Sequence, residues 1–263
     1  MNDAAPLPLL HLDEHLLVVD KPAGLLAHAS KMAADVDVDL LDRLRQQVQG
    51  AVFLVHRLDR ATSGLVLAAR TREAAGELGK QFMARSIEKS YLAVCRGWPE
   101  ETGEIDCPLG DVRPNSAKKP ALTRYRRLAT VEVPIALGKY RQQRYALMAV
   151  DPETGRYRQI RKHFHHISHH LIGDTSHGRT EHNRLFQSEW QVGRLLLHAH
   201  QLAFTHPATG DRLAFVAPLD QEFQRVIEVF GWTSAAFPAG FPVIPWPQQA
   251  NASLDRRHHG VST

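Results

Sequence analysis

Cysteine is scarce in this chain: Cys95 and Cys107 are the only two among 263 residues. They make no CxxC pair and cannot build a disulfide framework, which points to a reducing compartment. Long apolar runs are also missing. No stretch reaches the roughly 18 residues needed to cross a bilayer. The N-terminal MNDAAPLPLLHLDE lacks the basic segment of a secretory leader, so a cytoplasmic protein with no membrane partner is expected. Neither a P-loop, nor GxGxxG, nor HExxH occurs, and no metal, nucleotide or organic cofactor is expected.

What is present is the make-up of an ordinary globular protein, 43% hydrophobic and 23% charged, which predicts a real core. Lys and Arg (32) exceed Asp and Glu (28), and the pI of about 9.2 suits an acidic polymer such as RNA without establishing one. Apolar runs at 16–20, 65–69 and 90–95 read as strands. Leu40, Leu41, Leu44 and Val48 predict a helix over 39–48, and Ala75, Leu78 and Phe82 another over 71–85. Residues 100–120, with Gly103, Pro108, Gly110, Pro114 and Pro120, read mostly as loop with short extended pieces, joining two lobes. Strands follow at 122–130, 144–150, 195–204 and 212–216, with helices at 157–169 and 219–230. These give an α+β protein with one domain over 10–232, a flexible N-terminus at 1–9 and a flexible tail at 233–263. A monomer is expected, though no sequence feature speaks to oligomeric state.

The densest polar segment is His56-Arg57-Leu58-Asp59-Arg60-Ala61-Thr62-Ser63-Gly64. One carboxylate stands between two guanidinium groups ahead of a Thr-Ser-Gly turn. Nearby cations favour an ionised Asp, and hydroxyls and turn amides can hold it, so Asp59 is a ready nucleophile or base. On spacing alone the same segment also reads as a solvated surface loop.

The wording of the motif decides between these. HRLDRATSG resembles the active-site segment, HRLDxxTSG, of the RluA family of pseudouridine synthases. Asp20-Lys21-Pro22-Ala23-Gly24, Lys89-Ser90-Tyr91-Leu92-Ala93, Thr154-Gly155-Arg156-Tyr157-Arg158-Gln159-Ile160-Arg161, and Leu197-His198-Ala199 with Thr205-His206-Pro207 stand in the family's order, and the likeness covers about 10–230. The resemblance implies a mixed, mainly antiparallel sheet with flanking helices and a central cleft. It implies a reaction in which uridine is cut from its ribose, turned and rejoined through carbon. It gives Asp59 the role of catalytic carboxylate, Tyr91 that of packing on the target base, and Arg161 that of pairing with Asp59. A buried Asp needs such a countercharge in any case. Arg57 is the candidate for entering the RNA as the base is everted. His56, Arg60, Thr62, Ser63, Arg156, Arg158, Leu197 and His198 are further candidates for holding RNA. The chain departs from the family at Tyr157-Arg158, where Thr-His or Lys-His is usual, and at His170, where Pro is usual.

Arg124-Tyr125-Arg126-Arg127, Arg141 with Arg144, and Lys118-Lys119 are candidate phosphate contacts, and the interleaved Tyr125 could stack on a base. His163, His165, His166, His169 and His170 crowd one segment. His165 and His169 have metal-pair spacing, but no carboxylate or cysteine completes a set, and these are read as surface, RNA-facing histidines. Residues 129–134, 138–140, Gly173-Asp174, His177-Gly178 and Asn183-Arg184 look like the TruC branch of the family, which modifies uridine 65 of transfer RNA. The sequence reads as starting at the catalytic lobe, and no S4-type module is expected ahead of it. Ribosomal RNA is the alternative substrate, while a non-catalytic RNA-folding protein and a hydrolase releasing free uracil are the rival classes.

Overall fold

The computed structural model describes residues 5–28, 39–111 and 116–232; the expected tail at 233–263 lies outside the described residues. Its centre is a 10-stranded sheet. In chain order the elements are β1 (Leu9–Leu12), β2 (Leu16–Lys21), α1 (Leu40–Val48), β3 (Phe53–Leu54), β4 (Ser63–Ala69), α2 (Arg72–Ala84), β5 (Glu88–Arg96) and β6 (Thr102–Asp106). There follow β7 (Leu122–Val133), β8 (Gln143–Pro152), α3 (Gln159–His166), α4 (Thr180–Trp190), β9 (Leu197–Thr205), β10 (Arg212–Val216) and α5 (Gln221–Val229). The strands run β1-β2-β4-β9-β5-β8-β7-β6, with β3 beside β4 and β10 beside β9. Every pairing is antiparallel except β4 with β9. This is the mixed, mainly antiparallel sheet with flanking helices.

Both faces of the sheet are covered. Leu17 and Val19 of β2 point toward Leu40 and Leu44 of α1, whereas Leu16 and Val18 point toward Leu78 of α2. Strand residues alternate between faces, so a run such as LLVV is what a strand buried on both sides requires. The second half of the sheet repeats the plan, with Phe164 of α3 on one face and Phe186 of α4 and Phe223 of α5 on the other. Asp39, Thr71 and Asp220 cap α1, α2 and α5 by accepting from backbone amides three residues on.

Several expectations change. Within 100–120, the extended piece is strand β6, which pairs with β7 with Ile105 facing the core despite the flanking Pro and Gly. Helix α4 was not anticipated; only His182, Leu185 and Phe186 of it are buried, too few for a clear apolar period. The predicted helix over 157–169 narrows to α3, since Arg158 has φ 54 and closes its N-terminal end. Of the stretch expected to be flexible, 1–4 lie outside the described residues. Leu7 is buried and its amide donates to the Gln47 side chain, so the chain belongs to the fold from there. Among the described residues, no helix is long and apolar enough to cross a membrane.

The two halves meet where β9 lies between β4 and β5. Ser63 pairs with His198 and Gly64 with Ala199. Gly64 has φ +104, and a Cβ there would come within 2.7 Å of the Ala199 amide nitrogen and closer still to its carbonyl oxygen. Glycine at this position is therefore a requirement of the seam.

Candidate active site

The loop between β3 and β4 carries the HRLD residues over the seam. It is held from below and from the side. Leu58 is buried against α1 and β2, and the Thr62 amide donates to the Asp59 carbonyl at 3.1 Å, closing a turn. The Gly24 amide donates to the Arg60 carbonyl at 2.8 Å, and Arg60 Nε donates to the Gly24 carbonyl at 2.9 Å. Lys21 is fully buried, and its Nζ donates to the carbonyls of Pro22 (2.8 Å), Leu25 (2.9 Å) and Arg60 (3.3 Å). The DKPAG segment is thus the clamp on the HRLD loop. Burial and the Arg194 charge hold the Lys21 ammonium down to about 7, against the pull of Asp59 and Asp20.

Asp59 meets Arg161 from α3: Nη1 donates to Oδ2 at 3.0 Å. Two further donors of Arg161 go to a second carboxylate, Nε to Asp174 Oδ2 at 2.8 Å and Nη2 to Oδ1 at 2.7 Å. Asp174 is itself fixed by the amides of Ser176 and His177, each at 2.9 Å. Burial opposes charge on both groups. The bidentate pair outweighs it, so the guanidinium stands above its ordinary value and the Asp174 carboxyl below its own. Arg161 therefore arrives at Asp59 with its orientation already set.

Tyr91 is half-buried on β5 and packs against the cores of both halves. Burial first, and the Asp59 charge second, push its hydroxyl up, so at neutral pH it offers a protonated phenol and a flat ring. Asp59, Tyr91 and Arg161 line one cleft of about 1440 Å³, with His56, Arg57, Thr62, Arg156, Arg158 and Leu197 on its walls. His56 is a wall group, not a proton carrier. Its Nε2 accepts from the Leu67 amide at 2.9 Å, and burial with the nearby Lys89 charge pushes its pKa down to about 3. Arg57 is exposed at the cleft. Arg156 Nε donates to the Pro120 carbonyl, and Arg158, stacked on Tyr157, donates to Ser176 Oγ.

Three candidates are not cleft residues. Arg60 serves the clamp. Ser63 and His198 are buried at the seam, where Ser63 Oγ lies 2.8 Å from His198 Nδ1 and accepts from Arg194 at 2.9 Å. They hold the base of the loop. The basic clusters also divide: Lys119 and Arg124 line the cleft, but Arg124 is paired with Glu104 and Glu153, while Arg141 and Arg144 line a separate hollow with Arg96 and His169. Tyr125 cannot stack on a base, because β7 turns it inward onto Phe164. His163 and His170 are likewise buried, His163 between Thr123 Oγ1 and the Cys107 carbonyl, so only part of that histidine cluster is surface. Among the described residues, no three His, Cys, Asp or Glu side chains converge as a metal site. Sequence reasoning missed Lys21 as clamp and Asp174 as the second partner of Arg161. A lysine embedded next to an apolar strand was the available signal for the first; nothing local marked the second.

Residues 15–166 match the family described as RNA pseudouridylate synthase. The chain belongs to this family. A tRNA pseudouridine synthase C of Vibrio cholerae serotype O1 is 41% identical over 86% of this chain and 96% of its own length. One from Pectobacterium carotovorum subsp. carotovorum is 41% identical over 88% of this chain, which spans 64% of that protein. Among solved structures, human RNA pseudouridylate synthase domain containing 4 superposes with a TM-score of 0.65 at 23% identity, covering 85% of this chain and 92% of its own. Human RNA pseudouridylate synthase domain containing 1 does so at 0.64 and 22%, covering 89% and 98%. At those identities the structures speak for the fold alone, and the pseudouridylate synthase fold is what the ten strands build.

Proposed function

We propose that this pseudouridine synthase isomerises a uridine of transfer RNA, position 65, with Asp59 as the catalytic carboxylate and no cofactor. The observation that carries the reading is the ion pair of Asp59 with an immobilised Arg161 beside the Tyr91 ring in a single cleft. The cleft exceeds the roughly 300–1,000 Å³ common for small-molecule pockets, which suits a polymer delivering one nucleotide. The base must leave its stack to expose the bond between sugar and ring, and Tyr91 offers it a face. Uracil departs as a delocalised anion, so no second carboxylate has to protonate a poor leaving group, as glycosidases require. Asp59 takes part without becoming part of the product. The transfer RNA target rests on the likeness to the tRNA pseudouridine synthases C and on the TruC-like segments at 129–140 and 173–184. Such an enzyme works in the cytoplasm.

Mapping pseudouridines in total tRNA and rRNA from cells with and without the protein tests this. Loss at tRNA position 65, restored by the wild-type chain and not by Asp59→Ala, is the expected result. Loss confined to rRNA overturns the tRNA assignment, and release of free uracil overturns the isomerase.

A further inference from the structure

Gln201 of β9 is almost completely buried, lines the cleft, and leaves its amide nitrogen without a hydrogen-bond partner. Buried polar donors are nearly always paired, so this one is a donor awaiting an acceptor from outside the chain. Its surroundings say which kind. Ser90 stands opposite Gln201 on β5, and Tyr91 stands opposite Ala199, with a register shift between them. Successive strand residues normally face opposite ways. Here β9 carries one extra residue, His200, between the two pairs, and Glu88, Lys89, Ser90 and Tyr91 of β5 all line the cleft together with Gln201. The Tyr91 ring and the Gln201 amide therefore share one wall.

Lys89 is the cation on that wall, and its burial lowers its pKa; the groups around it lean toward their neutral forms. Ser90 is hydrogen-bonded to Asp151, whose carboxyl burial pushes up toward its protonated form, and His56 is held uncharged. An aromatic face beside one free N–H fits a flat ring bearing a carbonyl.

We infer that Gln201 donates its amide N–H to a ring carbonyl of the everted uracil lying on Tyr91, and so is a specificity-determining residue for the base. This rests on the synthase reading above and deepens it. Uracil presents two carbonyl acceptors, whereas cytosine presents an amino donor in place of one of them.

The test is a coupling measurement. Transcripts of the substrate tRNA carrying uridine, 2-thiouridine or 4-thiouridine at the converted position are reacted under single-turnover conditions with the wild type and with Gln201→Leu. Sulfur is the weaker acceptor. The wild type is expected to convert one of the two thio substrates about tenfold more slowly than uridine. Gln201→Leu is expected to be about tenfold slow on uridine and to show no further loss on that thio substrate, each effect being one hydrogen bond to a buried group. Equal thio penalties in both proteins overturn the assignment, as does a wild-type rate for Gln201→Leu or a penalty that couples to a neighbouring nucleotide instead. If Gln201→Leu melts early, Gln201→Asn, which keeps the amide but shortens its reach, carries the same comparison. A wild-type protein that converts no uridine in tRNA refutes the function itself, whereas conversion without coupling refutes only Gln201.

Discussion

Replacing Asp174 by Asn removes a charge that touches no substrate yet orients the guanidinium that does face Asp59. Asp174 accepts two charge-assisted hydrogen bonds from Arg161, at 2.8 and 2.7 Å, with side-chain exposures of 1% and 6%. Solvent screening is slight at such burial. Each bond of this kind contributes about 1.5–3 kcal/mol, and Asn retains one acceptor while its NH₂ opposes the arginine. Asp59 still accepts from Nη1, so Arg161 is not stranded and the roughly 3–5 kcal/mol of a fully broken buried pair is not reached. A loss of about 2–3 kcal/mol follows, read by urea unfolding of both proteins at pH 7. The sign of the pH dependence is fixed too. The folded Asp174 carboxyl lies below its ordinary 3.8, so its stabilisation is complete well above that pH and fades as pH falls through the lower folded value. The gap between Asp174→Asn and the wild type should therefore be full at pH 7 and shrink below pH ~4. In activity assays the turnover rate should fall with little change in tRNA affinity, because Arg161 loses its fixed approach to Asp59. A variant within ~0.5 kcal/mol of the wild type at pH 7, or a gap that persists undiminished in acid, would refute the reasoning.

Lys21→Met should alter the pH dependence of stability: the native ammonium is held down to about 7, so wild-type stability rises between pH ~7 and ~10.5, and the variant should lack that rise. Thermal melts at pH 7.5 and 9.5 check it, parallel behaviour of the two proteins counting against a buried Lys21. Gly64→Ala forces a Cβ into the Ala199 backbone and should cost more than ~3 kcal/mol, a fall in Tm of about 6–12 °C by calorimetry. An unchanged Tm would mean the β4–β9 seam is looser than described. Arg57→Ala should slow conversion of a base-paired target about tenfold or more, and of the same RNA with the target uridine unpaired much less, in single-turnover assays. Equal slowing on both would remove Arg57 from base eversion.

Much of the frame was legible because local signals and tertiary need agreed. Strands β2 and β4 announced themselves as unbroken apolar runs, and α1 and α2 by their apolar spacing. Asp59, Tyr91 and Arg161, 102 residues apart at the extremes, were legible as partners only through family resemblance, since no periodicity brings them together. What failed was the assignment of polar and aromatic residues to surface or interior. In β7, Thr123 and Tyr125 face in while Arg124 and Arg126 do not, an alternation that was readable but outweighed by the basic character of the segment. His163 was read by residue type as RNA-facing, and Ser63 and His198 became candidates for holding RNA through the family resemblance, yet each finds partners inside the protein, and such pairing is a property of the packed chain. Lys21 is the same lesson reversed: three carbonyls, one of them 39 residues away in sequence, make a cation tolerable in the core, and only the fold collects them.

The position of β9 has a consequence for biogenesis. It is the ninth strand in order of synthesis yet lies at the middle of the sheet, between β4 and β5. A nascent chain that has emerged only as far as α4 already contains Asp59, Tyr91 and Arg161, but has no strand to bridge its two halves. Long-range pairing of this sort folds slowly and leaves strand edges open meanwhile. The cleft is thus completed late in translation, once Leu197 and Gln201 of β9 have emerged to join its lining.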